Sequence, residues 1–131
     1  MCAFDDCDTA DIWTHRDRKA RVPHRCRECG RTVAPGETYR LNTWLYDGRW
    51  STSKTCQHCL AAGSWLDEVC GGYPVGMLRE ELVEHWHEGF RSVPFARLIA
   101  GQKRRWHDGR DPIPEGVAAL ANQMMQGQVA A

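Results

Sequence analysis

The sequence has no long hydrophobic run, no internal repeat and no low-complexity tract. No stretch approaches the roughly 18 to 20 consecutive apolar residues of a membrane-spanning helix, so we expect no transmembrane segment. The first residues, MCAFDDCDTAD, are acidic where a secretory signal is basic and then apolar. With 131 residues, the chain is expected to form about one domain in the cytoplasm.

Net charge is also absent, because 17 basic residues balance 17 acidic ones. The charges are nevertheless segregated along the chain: residues 67–91 are mainly acidic and residues 15–31 mainly basic. The basic residues of the latter segment are Arg16, Arg18, Lys19, Arg21, Arg25, Arg27 and Arg31. This local run indicates an anionic partner more clearly than the overall composition does.

Seven cysteines are present. Because a reducing cytosol disfavours disulfide bonds, they point to metal binding first. Cys26 and Cys29 form one C-x2-C pair, Cys56 and Cys59 form a second, and 26 residues separate the two pairs. Structural zinc takes four such donors in a closed tetrahedron, with Zn–S distances of about 2.3 Å. The two pairs therefore predict one structural Zn²⁺ site.

The segment between the pairs is predicted to be a β-hairpin. Asp47-Gly48 is a favoured two-residue turn, and it would place Tyr46 opposite Arg49. The hairpin returns Thr55 to the first cysteine pair, so the two pairs can meet. The residues that then share one face are Tyr39, Leu41, Leu45 and Trp50.

Helical periodicity starts at Cys56 and ends at the sequence CGGYPVG. Further helices are predicted over residues 77–90, over residues 95–103 and from Pro114 onwards. Residues 1–23 show no sustained periodicity and are predicted to be an irregular arm. The pattern as a whole predicts the α+β class.

The order of a CRECG turn, a hairpin and a helix that opens with CQHCLAAGSWL resembles the treble-clef zinc finger family. The likeness implies a treble-clef domain over residues 24–73 and a small helical extension over residues 74–131. More narrowly, RVPHRCRECGRTVAPGETY, DG and KTCQHC are similar to small zinc-finger proteins of bacteriophages whose role is uncharacterised. That likeness implies a phage source and the host cytoplasm, and it implies no particular activity.

Cys70 lies eleven residues after Cys59 on the predicted helix. The two would share a helix face but lie about 16 Å apart along the axis, which is too far for one zinc ion. A second metal site could combine Cys70 with Cys2 and Cys7 of the arm, with His24 or His15 as the fourth donor. The alternative is that Cys70 is a small buried residue and the arm is loose.

The treble clef also frames HNH-type nucleases, which need a general-base histidine near the hairpin and a metal-binding histidine on the helix. No histidine lies between Cys29 and Cys56, and His58 falls inside the second cysteine turn. The segment EHWHEGF suggests a metalloprotease motif, in which two histidines lie four residues apart with a glutamate after the first. Here His87 and Glu88 would begin the motif, but Arg91 stands where the second histidine is required. We therefore expect a protein without catalytic residues, and an HNH-like nuclease is the disfavoured alternative.

Two partner classes remain. Nucleic acid would be contacted by Arg21, Arg25, Arg27 and Arg31, since arginine forks suit phosphate groups. A host protein would instead be bound by the hairpin aromatics Trp44 and Tyr46 or by the acidic helix. Alternatively, the basic run binds no partner and forms a solvent-exposed face, on which the arginine and lysine stems cover apolar surface. The sequence indicates no small-molecule substrate.

Overall fold

The computed structural model describes residues 12–89, 91 and 93–111, and these form a mixed α+β arrangement. The strands are β1 (Ile12–Lys19), β2 (His24–Arg25), β3 (Thr32–Val33), β4 (Thr38–Tyr46) and β5 (Arg49–Cys56). The helices are α1 (Gln57–Cys70), α2 (Leu78–His87) and α3 (Val93–Lys103), and a short turn with left-handed backbone angles follows at Trp106–Gly109. No helix among the described residues is both long and apolar enough to span a membrane. Cys2, Cys7 and the helix predicted after Pro114 lie outside the described residues.

The predicted hairpin is confirmed in position and in register. β4 and β5 pair antiparallel, with Tyr46 opposite Arg49 and Leu45 opposite Trp50. Asp47 and Gly48 have φ values of 51° and 74°, as a two-residue turn with positive φ at both positions requires.

The prediction of an irregular arm over residues 1–23 is wrong for Ile12–Lys19. This segment is β1, which pairs antiparallel with β4 and gives the strand order β1-β4-β5. Every residue of β1 is exposed, so the strand shows no alternation of buried and exposed residues. Its attachment depends on backbone hydrogen bonds and on cross-strand pairs with β4, which sequence periodicity does not reveal.

The three-stranded sheet has two different faces. The inner face carries Trp13 and His15 of β1, Asn42 and Trp44 of β4, and Thr55 of β5, and it lines a cavity beside α1. The outer face carries the predicted row of Tyr39, Leu41, Leu45 and Trp50. Tyr39 is 4% exposed and Trp50 is 62% exposed, so this row is buried only at the end away from the turn.

The helices pack into one core with the cysteine pairs. Leu66 of α1, Leu78 and Leu82 of α2, and Phe95 and Leu98 of α3 are fully buried or nearly so. The first of these helices ends at Gly71 with φ 75°, where the N–H groups of Gly71 and Gly72 bond back to Asp67 and Leu66. The predicted helix over residues 77–90 is observed as Leu78–His87.

The helical part is fixed to the first cysteine turn by Glu28. Its carboxylate oxygens accept the backbone N–H groups of Gly76 at 2.8 Å and Leu78 at 3.0 Å. Its carbonyl oxygen accepts a hydrogen bond of 2.8 Å from Gln102 Nε2 of α3. Helices α2 and α3 are therefore both held to a residue that lies between two of the cysteines.

Candidate metal centre

Local backbone geometry brings the two cysteine pairs together. Cys26 and Cys29 lie in the turn between β2 and β3, which Gly30 closes with φ 79° and a hydrogen bond to the Cys26 carbonyl. Cys56 ends β5, and Cys59 lies in the first turn of α1. The N–H of Arg27 donates to the Lys54 carbonyl at 2.8 Å, which holds the first turn against β5.

The four sulfur atoms all lie within 4.8 Å of one another, and Cys29 Sγ and Cys56 Sγ are 3.9 Å apart. A tetrahedron with Zn–S bonds of about 2.3 Å has sulfurs about 3.8 Å apart. Cys26, Cys56 and Cys59 are at most 1% exposed. Among the described residues, this is the only group of three or more histidine, cysteine or acidic side chains suited to a metal ion. The cluster fits a closed zinc site.

The thiols do not all ionise easily without a cation. The pKa of Cys56 is lowered by hydrogen bonds from Cys26, Cys29 and Cys59. The pKa of Cys29 and the pKa of Cys59 are both raised, in each case first by the hydrogen bond to Cys26. A divalent ion would supply the positive charge that lets all four ionise, with release of protons on binding.

Two N–H groups, one of the backbone and one of a side chain, donate to sulfur atoms of the cluster. The N–H of Cys56 lies 3.4 Å from Cys26 Sγ, and Trp106 Nε1 donates to Cys59 Sγ at 3.4 Å. The Trp106 ring also stacks on His58, with centroids 5.6 Å apart. Such bonds orient metal ligands and stabilise their charge. Trp106 was missed by sequence reasoning because it follows the basic residues 103–105 beyond the predicted helix and lies 47 residues from Cys59.

An unusual backbone places Trp106 in the core. Residues 105–108 all have positive φ, between 47° and 55°, which costs about 1–2 kcal/mol per residue for side chains other than glycine. A Cβ at Gly101 would clash with the Trp106 ring, so only glycine permits this approach. Trp106 is 3% exposed, and its burial offsets part of the cost.

The four arginines predicted to contact nucleic acid do not lie in one environment. Arg21, Arg25 and Arg27 are at least partly exposed. Arg31 is only 1% exposed, and its guanidinium forms a salt bridge of 2.8 Å with Glu37 and a hydrogen bond to the Thr32 carbonyl. Arg31 is therefore not exposed for the predicted phosphate contact, because its charge is used inside the protein.

The described residues do not support the second candidate metal site, which would combine Cys70 with His24 and two N-terminal cysteines. Cys70 is disulfide-bonded, and its sulfur lies 3.4 Å from Nε2 of His85. His24 packs on the Tyr39 ring instead, with centroids 4.9 Å apart. Neither Cys70 nor His24 belongs to a metal-holding group in this part of the chain. A second zinc therefore stays a prediction.

His58, the histidine inside the second cysteine turn, is completely buried. Its Nδ1 lies 3.4 Å from Arg31 Nη2, and its Nε2 lies 3.2 Å from the carbonyl oxygen of Asp111. Both ring nitrogens thus have partners within the protein. The residue links the cysteine cluster to Arg31 and to the end of the described helical part.

Comparisons with protein-family models, curated proteins and solved structures find no match for this chain. Its class therefore follows from its own geometry: an α+β protein with a four-cysteine cluster that fits zinc.

Proposed function

We propose that the protein is a zinc-stabilised, non-catalytic protein of the treble-clef type that binds nucleic acid through a basic surface. The treble-clef assignment is supported by the order of a cysteine turn, the β4–β5 hairpin and a helix that carries Cys59 in its first turn. The phage source and the host cytoplasm follow from the sequence resemblance alone.

The observation that carries the nucleic-acid proposal is the charge of the outer sheet face. Strand pairing puts Arg16 of β1 and Lys54 of β5 on either side of Leu41, with Arg18 next to them opposite Tyr39. None of the residues that the three strands place on this face is acidic. Since neighbouring strands are about 4.8 Å apart, Arg16 and Lys54 are separated by about 10 Å. Three cations thus lie within reach of a phosphate backbone.

The basic surface continues onto the first cysteine turn. Arg25 and Arg27 lie there, and the N–H of Arg27 is bonded to the carbonyl of Lys54 on the outer face. Arg21, which is exposed, follows the end of β1. The acidic residue of β1, Asp17, lies on the inner face, where it pairs with Arg40 at 2.9 Å. Asp17 therefore does not neutralise this surface, and the arginines remain suited to phosphate contacts.

The test is the salt dependence of binding to a short fluorescent oligonucleotide. We expect the logarithm of the affinity to fall linearly with the logarithm of salt concentration, because each phosphate contact releases counterions. Replacing Arg16 and Arg18 by alanine should weaken binding. It should also flatten this slope by about 0.7 for every phosphate of a single strand that is no longer neutralised.

A matched control is the pair Arg79→Ala and Arg97→Ala, two exposed arginines on helices α2 and α3. This double variant has the same net charge as the sheet variant. Equal losses of affinity in both double variants would mean that only the net charge of the protein matters. That result would overturn the proposal that the outer sheet face binds nucleic acid.

A host-protein partner is the second candidate, and exposed aromatic residues favour it. Trp13 is 48% exposed and Tyr46 is 43% exposed, both on the inner face beside Trp44. Aromatic side chains often anchor protein interfaces. In this case a pull-down from host lysate treated with nuclease should retain the partner, and Trp44→Ala should abolish its capture. An HNH-like nuclease stays disfavoured because both His58 nitrogens are engaged within the protein.

A further inference from the structure

A cavity of about 770 Å³ separates the inner sheet face from the loop that follows α1. We call this cavity the inner cleft. One wall consists of inner-face residues from all three strands, and the opposite wall is formed by residues 71–75. Its size lies within the range of small-molecule binding sites, about 300–1,000 Å³.

One end of the inner cleft is aromatic. Trp13 of β1 and Trp44 of β4 are cross-strand neighbours whose rings stack, with centroids 5.4 Å apart and planes at 19°. Tyr46 extends this surface towards the hairpin turn, and Tyr73 lines the opposite wall. Flat aromatic surfaces of this kind bind planar rings by stacking.

The sheet side of the cleft also carries hydrogen-bonding groups in a fixed arrangement. Nδ2 of Asn42 donates to Ser53 Oγ and to Thr55 Oγ1, both at 3.3 Å, and all three side chains are at most 9% exposed. These bonds use both N–H groups of the amide. The Asn42 carbonyl oxygen keeps its acceptor capacity, and each hydroxyl keeps a proton to donate. The set therefore combines an acceptor with two donors.

Two of the charged groups that line the cleft, Arg40 and Glu28, are already paired. Arg40 bonds to Asp17 at 2.9 Å, and the Glu28 carboxylate accepts the N–H groups of Gly76 and Leu78. A charged ligand would have to compete with these contacts. The lining thus favours an uncharged planar ligand with hydrogen-bond donors and acceptors on its edge.

We propose that the inner cleft binds one unpaired nucleobase, stacked on the Trp13–Trp44 pair and hydrogen-bonded at its edge to Asn42, Ser53 and Thr55. The base can come from a free nucleoside or from a bound single strand, and the second case rests on the proposed function. β1 is the edge strand and carries Arg16 and Arg18 on the outer face and Trp13 on the inner face. A single strand held by the two arginines therefore reaches the cleft around this edge.

The first experiment titrates the full-length ¹⁵N-labelled protein with adenosine, guanosine, cytidine and uridine, which carry no phosphate. We expect saturable shifts of the Trp13 and Trp44 indole N–H signals and no shift of the Trp50 signal, which belongs to the opposite face. Trp44→Leu should abolish the response, and Trp50→Leu should preserve it. Thr55→Val, which keeps the side-chain shape but removes the hydroxyl, should weaken binding severalfold.

The second experiment uses the short single-stranded oligonucleotide. Trp44→Leu should lower its affinity about tenfold, because removal of one stacked base costs about 1–3 kcal/mol, and should leave the salt slope unchanged. Arg16→Ala should instead reduce the slope. These two signatures separate base contacts from phosphate contacts.

The outcomes distinguish the two proposals. If the oligonucleotide binds with the expected salt slope, but Trp44→Leu has no effect and no nucleoside shifts Trp13 or Trp44, the cleft proposal is overturned and the basic surface stands. If the oligonucleotide does not bind at all but nucleosides shift both signals in a Trp44-dependent way, the basic surface fails and the cleft binds the free base.

Discussion

The guanidinium of Arg31 is a buried positive charge whose main partner is the Glu37 carboxylate. Two hydrogen bonds join them, from Nη2 to Oε1 at 2.8 Å and from Nη1 to Oε2 at 3.3 Å. Glu37 also accepts the backbone N–H of Ala34. Removing one partner of such a pair leaves an uncompensated buried charge, which is far more costly than the loss of an exposed ion pair.

Glu37→Gln is therefore expected to lower the free energy of unfolding by about 3 kcal/mol at neutral pH. The control is Asp17→Asn, which breaks the exposed pair with Arg40 and should cost less than about 1 kcal/mol. Denaturant titration of both variants measures the difference. Similar small losses of stability in the two would show that Arg31 does not depend on Glu37.

The same pair predicts a pH dependence. Burial alone would raise the pKa of Glu37, but hydrogen bonds from Arg31 and Ala34 lower it below the ordinary value of 4.5. A lowered folded-state pKa means that the stabilisation is present above the unfolded-state pKa and is lost as the pH falls through the folded-state pKa. The stability gap between the native protein and Glu37→Gln should therefore close on acidification, which denaturant titration across that pH range measures.

Among the secondary-structure elements, β1 and α2 depend on contacts that are distant in the sequence. β1 is exposed along its whole length and is placed by β4, and α2 begins at a residue whose N–H is bound by Glu28, 50 positions earlier. Met77 at the start of α2 makes no side-chain cap. The carboxylate of Glu28 takes over this role and also compensates the partial positive charge of the helix N-terminus.

Glu28→Ala should thus lower the free energy of unfolding by about 1–3 kcal/mol, because it leaves two backbone N–H groups without their acceptor. Glu84→Ala, which removes an exposed carboxylate of the same helix, should change stability by less than about 0.5 kcal/mol. Amide exchange should show earlier opening of α2 in the first variant. Equal stability of the two variants would contradict the cap.

Local spacing explains which parts of the whole molecule could be predicted from sequence. The Asp47-Gly48 turn determined the hairpin register, and the two C-x2-C pairs identified the four cysteines that come together. The burial of Arg31 and Trp106 was not predictable, because an arginine in a basic run and a tryptophan directly after three basic residues carry no local sign of it. Their positions depend on Glu37 and Gly101, which become neighbours only once the chain has folded.

The cysteine cluster joins distant parts of the described chain, because β5, α1, the first cysteine turn and Trp106 all contribute to it or contact it. We expect the purified protein to contain one zinc per chain, and we expect chelation to lower its unfolding temperature strongly, since structural zinc contributes directly to folding. Elemental analysis and thermal unfolding measure both quantities. A metal-free protein that melts at the same temperature as the untreated one would contradict the zinc site.

Variants of single cysteines decide how many zinc ions the chain binds. Cys29→Ser should lose the zinc, because it removes one of four ligands, whereas Cys70→Ser should retain one zinc per chain, because Cys70 lies outside the cluster. If the native protein instead held two zinc ions and Cys70→Ser lost one of them, Cys70 would be a zinc ligand and its disulfide bond would be contradicted. A shared loss of all metal in both variants would mean that Cys70 is required for the cluster itself, which the separation of the two sites along α1 argues against.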